Sequence, residues 1–256
     1  VESKKIYFVS DVHLGLPNSN ESLKREKMLV EWLDSIKVQT EALYLLGDIF
    51  DFWYEYRFVV PKGFVRFLAK IAEFTDSGIP VYYFTGNHDV WAFDYFEQEL
   101  GVEIIRKPIT IDLHGKRFHL AHGDGLGPAD KGFKLLKWLF TNKIAQVLFS
   151  RIHPNFALWL GHSWSRKKRY DDGLDDLIYK GHNKEWLLLY AREMLKTEAI
   201  DYFIFGHRHL PMHLVVDTAE FINLGDWISN YTYAVFDGEA LKLLRLDGTV
   251  LAKEII

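Results

Sequence analysis

At 256 residues the chain is long enough for one large α/β domain or for a domain carrying an insertion, and its 48% hydrophobic and 26% charged residues suit a sizeable core and exclude a disordered chain. The formal charge of −4 argues against a general nucleic-acid binder that works through bulk positive field. With no cysteine, disulfides, thiolate zinc sites, iron–sulfur clusters and cysteine nucleophiles are excluded, so any metal must be held by His, Asp, Glu or Asn.

Val1-Glu2-Ser3-Lys4-Lys5 leads into an apolar run without a signal-like segment, and no run approaches the ~20 residues of a membrane span, so the sequence reads as soluble. Ile6 to Ser10 reads as a strand that ends in Asp11-Val12-His13-Leu14-Gly15. A helix is predicted over 22–37, then a strand over 42–46 that closes on Gly47-Asp48. The pattern repeats with a helix over 62–77 and a strand over 81–84, followed by Thr85-Gly86-Asn87-His88-Asp89. Further strands are predicted at 109–113, 117–121, 202–205, 213–217, 220–224, 231–236 and 240–246, the last group as an antiparallel meander.

Five strand ends therefore carry polar clusters: Asp11/His13, Asp48, Asn87/His88, His122 and His207/His209. A lone Asp, Asn or His behind a strand is ordinarily a turn former, a cap or a satisfied core residue. The ordered conjunction of D-x-H, G-D, G-N-H-D, H-G-D and G-H-x-H is what sets these apart. In open α/β sheets ligands gather beyond the carboxyl ends of strands, so the clusters should converge. Asp11, Asp48 and Asn87 supply oxygens, and His13, His122, His207 and His209 supply imidazoles, a mixed set suited to two divalent cations of borderline hardness. Two such ions with a carboxylate between them would select an anionic substrate, clamp an in-line displacement at phosphorus and lower the pKa of water, making the nucleophile water-derived.

His122 and His207 lie 85 positions apart, more than neighbouring strand ends require, which predicts an inserted helical lid over about 126–197. Nine of the 31 basic residues, and none of the 35 acidic ones, fall between Lys131 and Arg169, leaving −13 on the rest of the chain. Bulky apolar residues such as Trp138, Phe149, Phe156, Trp159 and Trp164 are interleaved with them at helical spacing, and Pro154 separates two helices. An ordinary helical subdomain packed on the core would need fewer apolar residues. A basic, aromatic-rich lid could instead bury acyl chains, lie on an anionic membrane surface, or do both. One compact basic cap offers little length for tracking a nucleic acid.

The motif series resembles that of the calcineurin-like metallophosphoesterases, and all five of their motifs are present. The resemblance implies a four-layer α/β/β/α sandwich in which Asp11, His13, Asp48 and His209 hold one metal and Asp48, Asn87, His122 and His207 the other. It also implies that His88 is the catalytic partner outside the metal shell and that Asp89 orients its ring. Asp-Val-His-Leu-Gly, Gly-Asp-Ile-Phe-Asp-Phe-Trp, His-Gly-Asp-Gly-Leu and the apolar basic insertion are similar to the UDP-2,3-diacylglucosamine pyrophosphohydrolase branch of lipid A biosynthesis. That branch implies a cytoplasmic enzyme peripheral to the inner membrane, using Mn²⁺ (or Fe, Co or Zn), that releases acylated sugar 1-phosphate and UMP. Asp130 matches the branch's acidic substrate-positioning residue, Asn87 would also contact substrate, and Arg166, Lys167 and Arg169 would meet phosphates. The branch commonly has Arg where this chain has His88, a group that can also donate a proton. The other readings are a metallophosphoesterase acting on a nucleotide, cyclic phosphodiester or phosphoprotein, and a noncatalytic scaffold, which would be expected to lose several of the seven ligands.

Overall fold

Alternation along the first strand decides the architecture. In β1 (Lys5–Val9), Ile6 and Phe8 point to one face and Tyr7 and Val9 to the other, and all four are buried, so both faces of the sheet must be covered. The computed structural model describes residues 4–127, 138–172 and 178–255, with the side chains of 166–172 outside that description.

The first sheet holds β1, β2 (Thr40–Leu46), β3 (Val81–Phe84) and β4 (Glu103–Ile105), all parallel, and is extended past β1 by antiparallel β10 (Thr232–Phe236) and β11 (Leu241–Arg245). The second holds β5 (Ile109–Leu113), β6 (Lys116–Ala121), β7 (Tyr202–Phe205), β8 (Pro211–Val216), β9 (Ala219–Leu224) and β12 (Glu254–Ile255), in the order β12-β8-β9-β7-β6-β5. Ile6, Phe8, Tyr44 and Leu46 meet Phe118, Leu120, Ile204 and Ile222 between the sheets. On the outer face of the first sheet, Tyr7, Val9, Leu43 and Leu45 pack on α1 (Ser19–Ile36) and α2 (Val65–Asp76) through Leu29, Trp32, Leu33 and Phe67. Each such burial is worth roughly 1.5–3 kcal/mol. On the opposite outer face, Phe203, Phe205 and Leu214 cover Leu187, Leu188 and Ala191 of α6 (Trp186–Leu195). The four expected layers are thus present.

The first helix starts earlier than periodicity predicts, because Asn18 caps it by accepting from the backbone N–H groups of Asn20 and Glu21 at 3.0 and 3.1 Å. Glu55 does the same for α3 (Tyr95–Leu100), taking the N–H groups of Phe93, Asp94 and Tyr95. The expected C-terminal meander is a different object. β8 and β9 form a hairpin in the second sheet, whereas β10 and β11 return to the first, with β10 beside β1. Local alternation gives each strand but not its sheet, since that depends on which edge remains open.

Two helices of the basic, apolar segment, α4 (Lys143–Ser150) and α5 (Pro154–Asp172), are divided at Pro154. They lie against Phe52, Tyr54 and Trp91 through Phe149 and Leu158, joined by Phe140 from the stretch before α4. Body side chains pin the backbone of this segment: Tyr54 Oη donates to Gln146 O of α4 at 3.0 Å, Tyr56 Oη to Ile152 O between the helices at 3.2 Å and Trp91 Nε1 to Phe140 O before α4 at 2.8 Å. No helix among the described residues is long and apolar enough to cross a membrane.

Candidate metal centre

β1, β2 and β3 run parallel and β6 and β7 run parallel, so their carboxyl ends bring Asp11/His13, Asp48, Asn87/His88, His122 and His207/His209 to one place. The loops are forced into unusual backbone. Asp11, His13, Asp48, His207 and His209 all have φ between 48° and 70°, the left-handed region that costs a non-glycine residue roughly 1 kcal/mol or more. Glycines make the close approach possible. A Cβ on Gly86 would lie 2.2 Å from Asp48 Oδ1, on Gly206 2.5 Å from Asp11 Oδ2, and on Gly47 2.6 Å from His122 Nδ1. From below, Arg25 Nη1 lies 2.9–3.2 Å from the carbonyls of Val12, His13 and Leu16, bracing the first loop.

Asp48 Oδ2 is 3.3 Å from His122 Nε2, 3.7 Å from His13 Nε2 and 4.0 Å from His88 Nε2. It therefore stands between two groups whose ligand atoms lie within 4.8 Å of one another: Asp11, His13 and His209, and Asp48, His122 and His207. Asn87 Oδ1 faces His122 Nε2 at 3.4 Å, joining the second group. Asp11 Oδ1 is 3.4 Å from His209 Nε2 and 3.7 Å from His13 Nε2, and this buried oxygen accepts no hydrogen bond. Imidazole direction is fixed from behind, as for metal ligands. His122 Nδ1 donates to Leu46 O at 2.8 Å, and His209 Nδ1 to Asp226 Oδ2 at 3.3 Å, presenting Nε2 to the centre. A mixed oxygen and imidazole donor set, an orphaned buried carboxylate oxygen and ring nitrogens aimed at acceptors together fit two divalent cations.

Electrostatics agree. Burial alone favours neutral Asp48, yet the imidazoles of His122, His88 and His13 hold it well below the ordinary carboxylate range. Burial likewise opposes a charged His122, but Asp48, with Asp11 and Asp124, pushes it up to about 10, so the pocket favours positive charge.

His88 also comes to this centre. Its Nδ1 donates to the Asp51 carbonyl at 2.8 Å and its backbone N–H to Asp48 Oδ1 at 2.9 Å. Asp89 does not orient this ring, contrary to the expectation above. Its carboxylate is consumed by the N–H of Ile49 (2.9 Å), the N–H of Gly86 (2.7 Å) and the hydroxyl of Tyr83, and it serves as a brace between the second and third loops. Burial, reinforced by Asp48, pushes Asp89 up to about 7. Asp130 lies outside the described residues, and Arg166, Lys167 and Arg169 lie on α5 with side chains outside them.

Several partners are absent from the sequence-derived set. Asp226 has a detectable signal, since Gly225-Asp226 is another Gly-Asp directly behind a predicted strand. Arg208, between the two ligating candidates of G-H-x-H, is fully buried and pairs with Glu185 at 3.0 Å through both Nε and Nη2. Asp51 is buried among His13, His88, His162 and Ser165. Nothing local marks the last two.

A two-sheet sandwich with Asp, Asn and His converging at parallel strand ends around Asp48 defines a metal-dependent phosphoesterase. Residues 4–211 match the calcineurin-like phosphoesterase family, and the chain belongs to that family. Among curated relatives, the UDP-2,3-diacylglucosamine hydrolase of Porphyromonas gingivalis is 39% identical over 256 residues, covering 95% of this chain and 98% of its own. Enzymes of the same name from Vibrio vulnificus and Haemophilus influenzae are 30% and 26% identical, over 87% and 89% of this chain and 89% and 92% of theirs. The chain is a hydrolytic enzyme of this family.

Proposed function

We propose that this chain hydrolyses the pyrophosphate of UDP-2,3-diacylglucosamine, releasing UMP and the diacylated sugar 1-phosphate. The observation that carries the substrate class is a cavity of about 290 Å³ that starts at Asn87 and His88 and continues between Phe52, Trp91, Phe140, Phe149, Leu160 and Trp164. Its polar end is the candidate centre and its walls are aromatic and aliphatic, a match for a phosphorylated head with acyl chains behind it. The name shared by the curated relatives supports the same substrate.

In this reading Asp11, His13, Asp48 and His209 hold one divalent cation and Asp48, Asn87, His122 and His207 a second, with Asp48 common to both. Such a pair supplies Lewis acidity toward phosphoryl oxygens and a lowered pKa for water. Mn²⁺ is the expected ion, with Fe, Co or Zn compatible with the same donors. His88 keeps Nδ1 on the Asp51 carbonyl, which leaves Nε2 to stabilise charge on phosphorus or to protonate the departing oxygen. Asn87 also touches substrate, Asp130 positions the head group, and Arg166, Lys167 and Arg169 contact phosphates. The inserted lid is taken over about 126–197, with its last helix, α6, packed on the second sheet. Its exposed Trp138, Ile144, Leu148, Phe156 and Trp159, with Lys143 and Arg151, suit peripheral contact with an anionic membrane on the cytoplasmic side of the inner membrane.

The test compares detergent-dispersed UDP-2,3-diacylglucosamine with its acyl-free counterpart under Mn²⁺. Acyl chains should raise kcat/KM by roughly a hundredfold or more, part of it in kcat, since remote binding energy orients the reacting centre. Equal rates on the two substrates would refute the proposal.

A further inference from the structure

Helix α5 delivers two polar side chains into the centre that an apolar cover does not require. Ser165 Oγ donates to Asp51 Oδ1, and His162 Nδ1 donates to Asp51 Oδ2 at 3.1 Å. The two donors are three residues apart and so share one helix face. Asp51 is fully buried, and its own backbone carbonyl is what holds His88 Nδ1 at 2.8 Å. Its Oδ1 also lies 3.8 Å from His88 Nδ1 and 3.9 Å from His13 Nδ1. The approach of the helix is sterically fixed: a Cβ on Gly161 would lie 2.5 Å from the Phe52 ring, and one on Gly15, with φ +116°, would lie 3.3 Å from His162 Cε1.

We propose that α5 completes the catalytic centre, with His162 and Ser165 as positioning residues that fix Asp51 and, through its carbonyl, the ring of His88. A buried carboxylate deprived of these two donors would turn toward other donors. Such a turn would shift the Asp51 carbonyl and loosen the His88 ring held on it. The lid then sets turnover even for a substrate with nothing to bury in it. This rests on the phosphoesterase reading and on the role given to His88, but not on the lipid.

The experiment therefore uses bis(4-nitrophenyl) phosphate, which has no acyl chain, with the full-length protein loaded with metal. For His162→Leu combined with Ser165→Ala, kcat should fall about tenfold or more while KM and bound metal stay within about twofold. His162→Asn, whose amide can reach the same carboxylate, should recover most of the loss seen in His162→Leu. In the zinc-loaded protein, the ¹⁵N-imidazole NMR signal of His88 Nδ1–H should shift in the Leu/Ala variant and return in the Asn variant. If the double variant does not fold, Ser165→Ala, which removes one hydroxyl, carries the same comparison alone. Wild-type kcat in folded, metal-loaded variants, or a loss of kcat matched by loss of metal, would overturn the proposal. A wild-type enzyme indifferent to acyl chains would instead sink the lipid reading and leave this comparison standing.

Discussion

Three imidazoles surround one oxygen of Asp48, and two of them belong to different candidate ligand groups. Replacing Asp48 by Asn keeps the shape and removes the charge, so both cations should bind more weakly. Metal analysis after dialysis should show both positions depleted, and two retained ions would contradict a shared carboxylate. His88 tests the complementary point. With its ring tied to a backbone carbonyl, His88→Ala should lower kcat by roughly a hundredfold at unchanged metal content, whereas loss of metal would move it among the ligands. The eight side chains at the centre were legible in the sequence because each motif places chemistry directly behind a strand. The role of Asp89 was not. An Asp next to His88 in sequence points away from that ring in space, since the backbone N–H groups of Ile49 and Gly86 claim its carboxylate.

Between elements, buried polar contacts fix which loop meets which helix. The Arg208–Glu185 pair ties the loop after β7 to the segment entering α6, and Arg208 also stands over the Trp186 ring at 4.8 Å. Glu185→Gln leaves a buried guanidinium without its carboxylate, which should cost about 3–5 kcal/mol in denaturant unfolding; a change under about 1 kcal/mol would mean the pair is not structural. His119 joins β6 to β5 and α6 through Thr110 Oγ1 at 2.9 Å and Tyr190 Oη at 3.3 Å. Burial lowers its pKa to about 4 from an ordinary 6.5, so the unfolded chain takes up the proton first. The stability it contributes is complete above about pH 6.5 and is lost as pH falls toward 4, by about 1.4 kcal/mol per pH unit inside that window. Relative to wild type, His119→Gln should flatten the pH dependence of unfolding free energy there, and parallel curves would show that His119 does not titrate this way. Strands and helices were legible from period and turn residues. Their sheet partners were not, as β10 shows by leaving the hairpin before it to pair with β1, because register between distant segments leaves no local pattern.

At the scale of the whole molecule, charge and apolar surface are segregated together. The segment from Lys131 to Arg169 is basic throughout while the remainder carries −13, and Phe156 and Trp159 of α5 stack at 5.6 Å with more than half of each side chain exposed. Large aromatic groups left in water on a segment that also carries exposed Lys143 and Arg151 suit a lipid interface, where rings enter the headgroup region and cations meet anionic phosphates. The cavity between these helices and His88 would then open toward the phase that holds a diacylated substrate. Phe156→Asp combined with Trp159→Asp exchanges apolar contact for repulsion, so cosedimentation with anionic vesicles should fall about tenfold or more. Wild-type binding should weaken with added salt, as the Coulombic share is screened over about 8–10 Å. Equal partitioning of wild type and variant would place the aromatic face elsewhere than at the membrane, whereas lost partitioning with turnover of bis(4-nitrophenyl) phosphate retained would separate delivery of the lipid from the chemistry done on it.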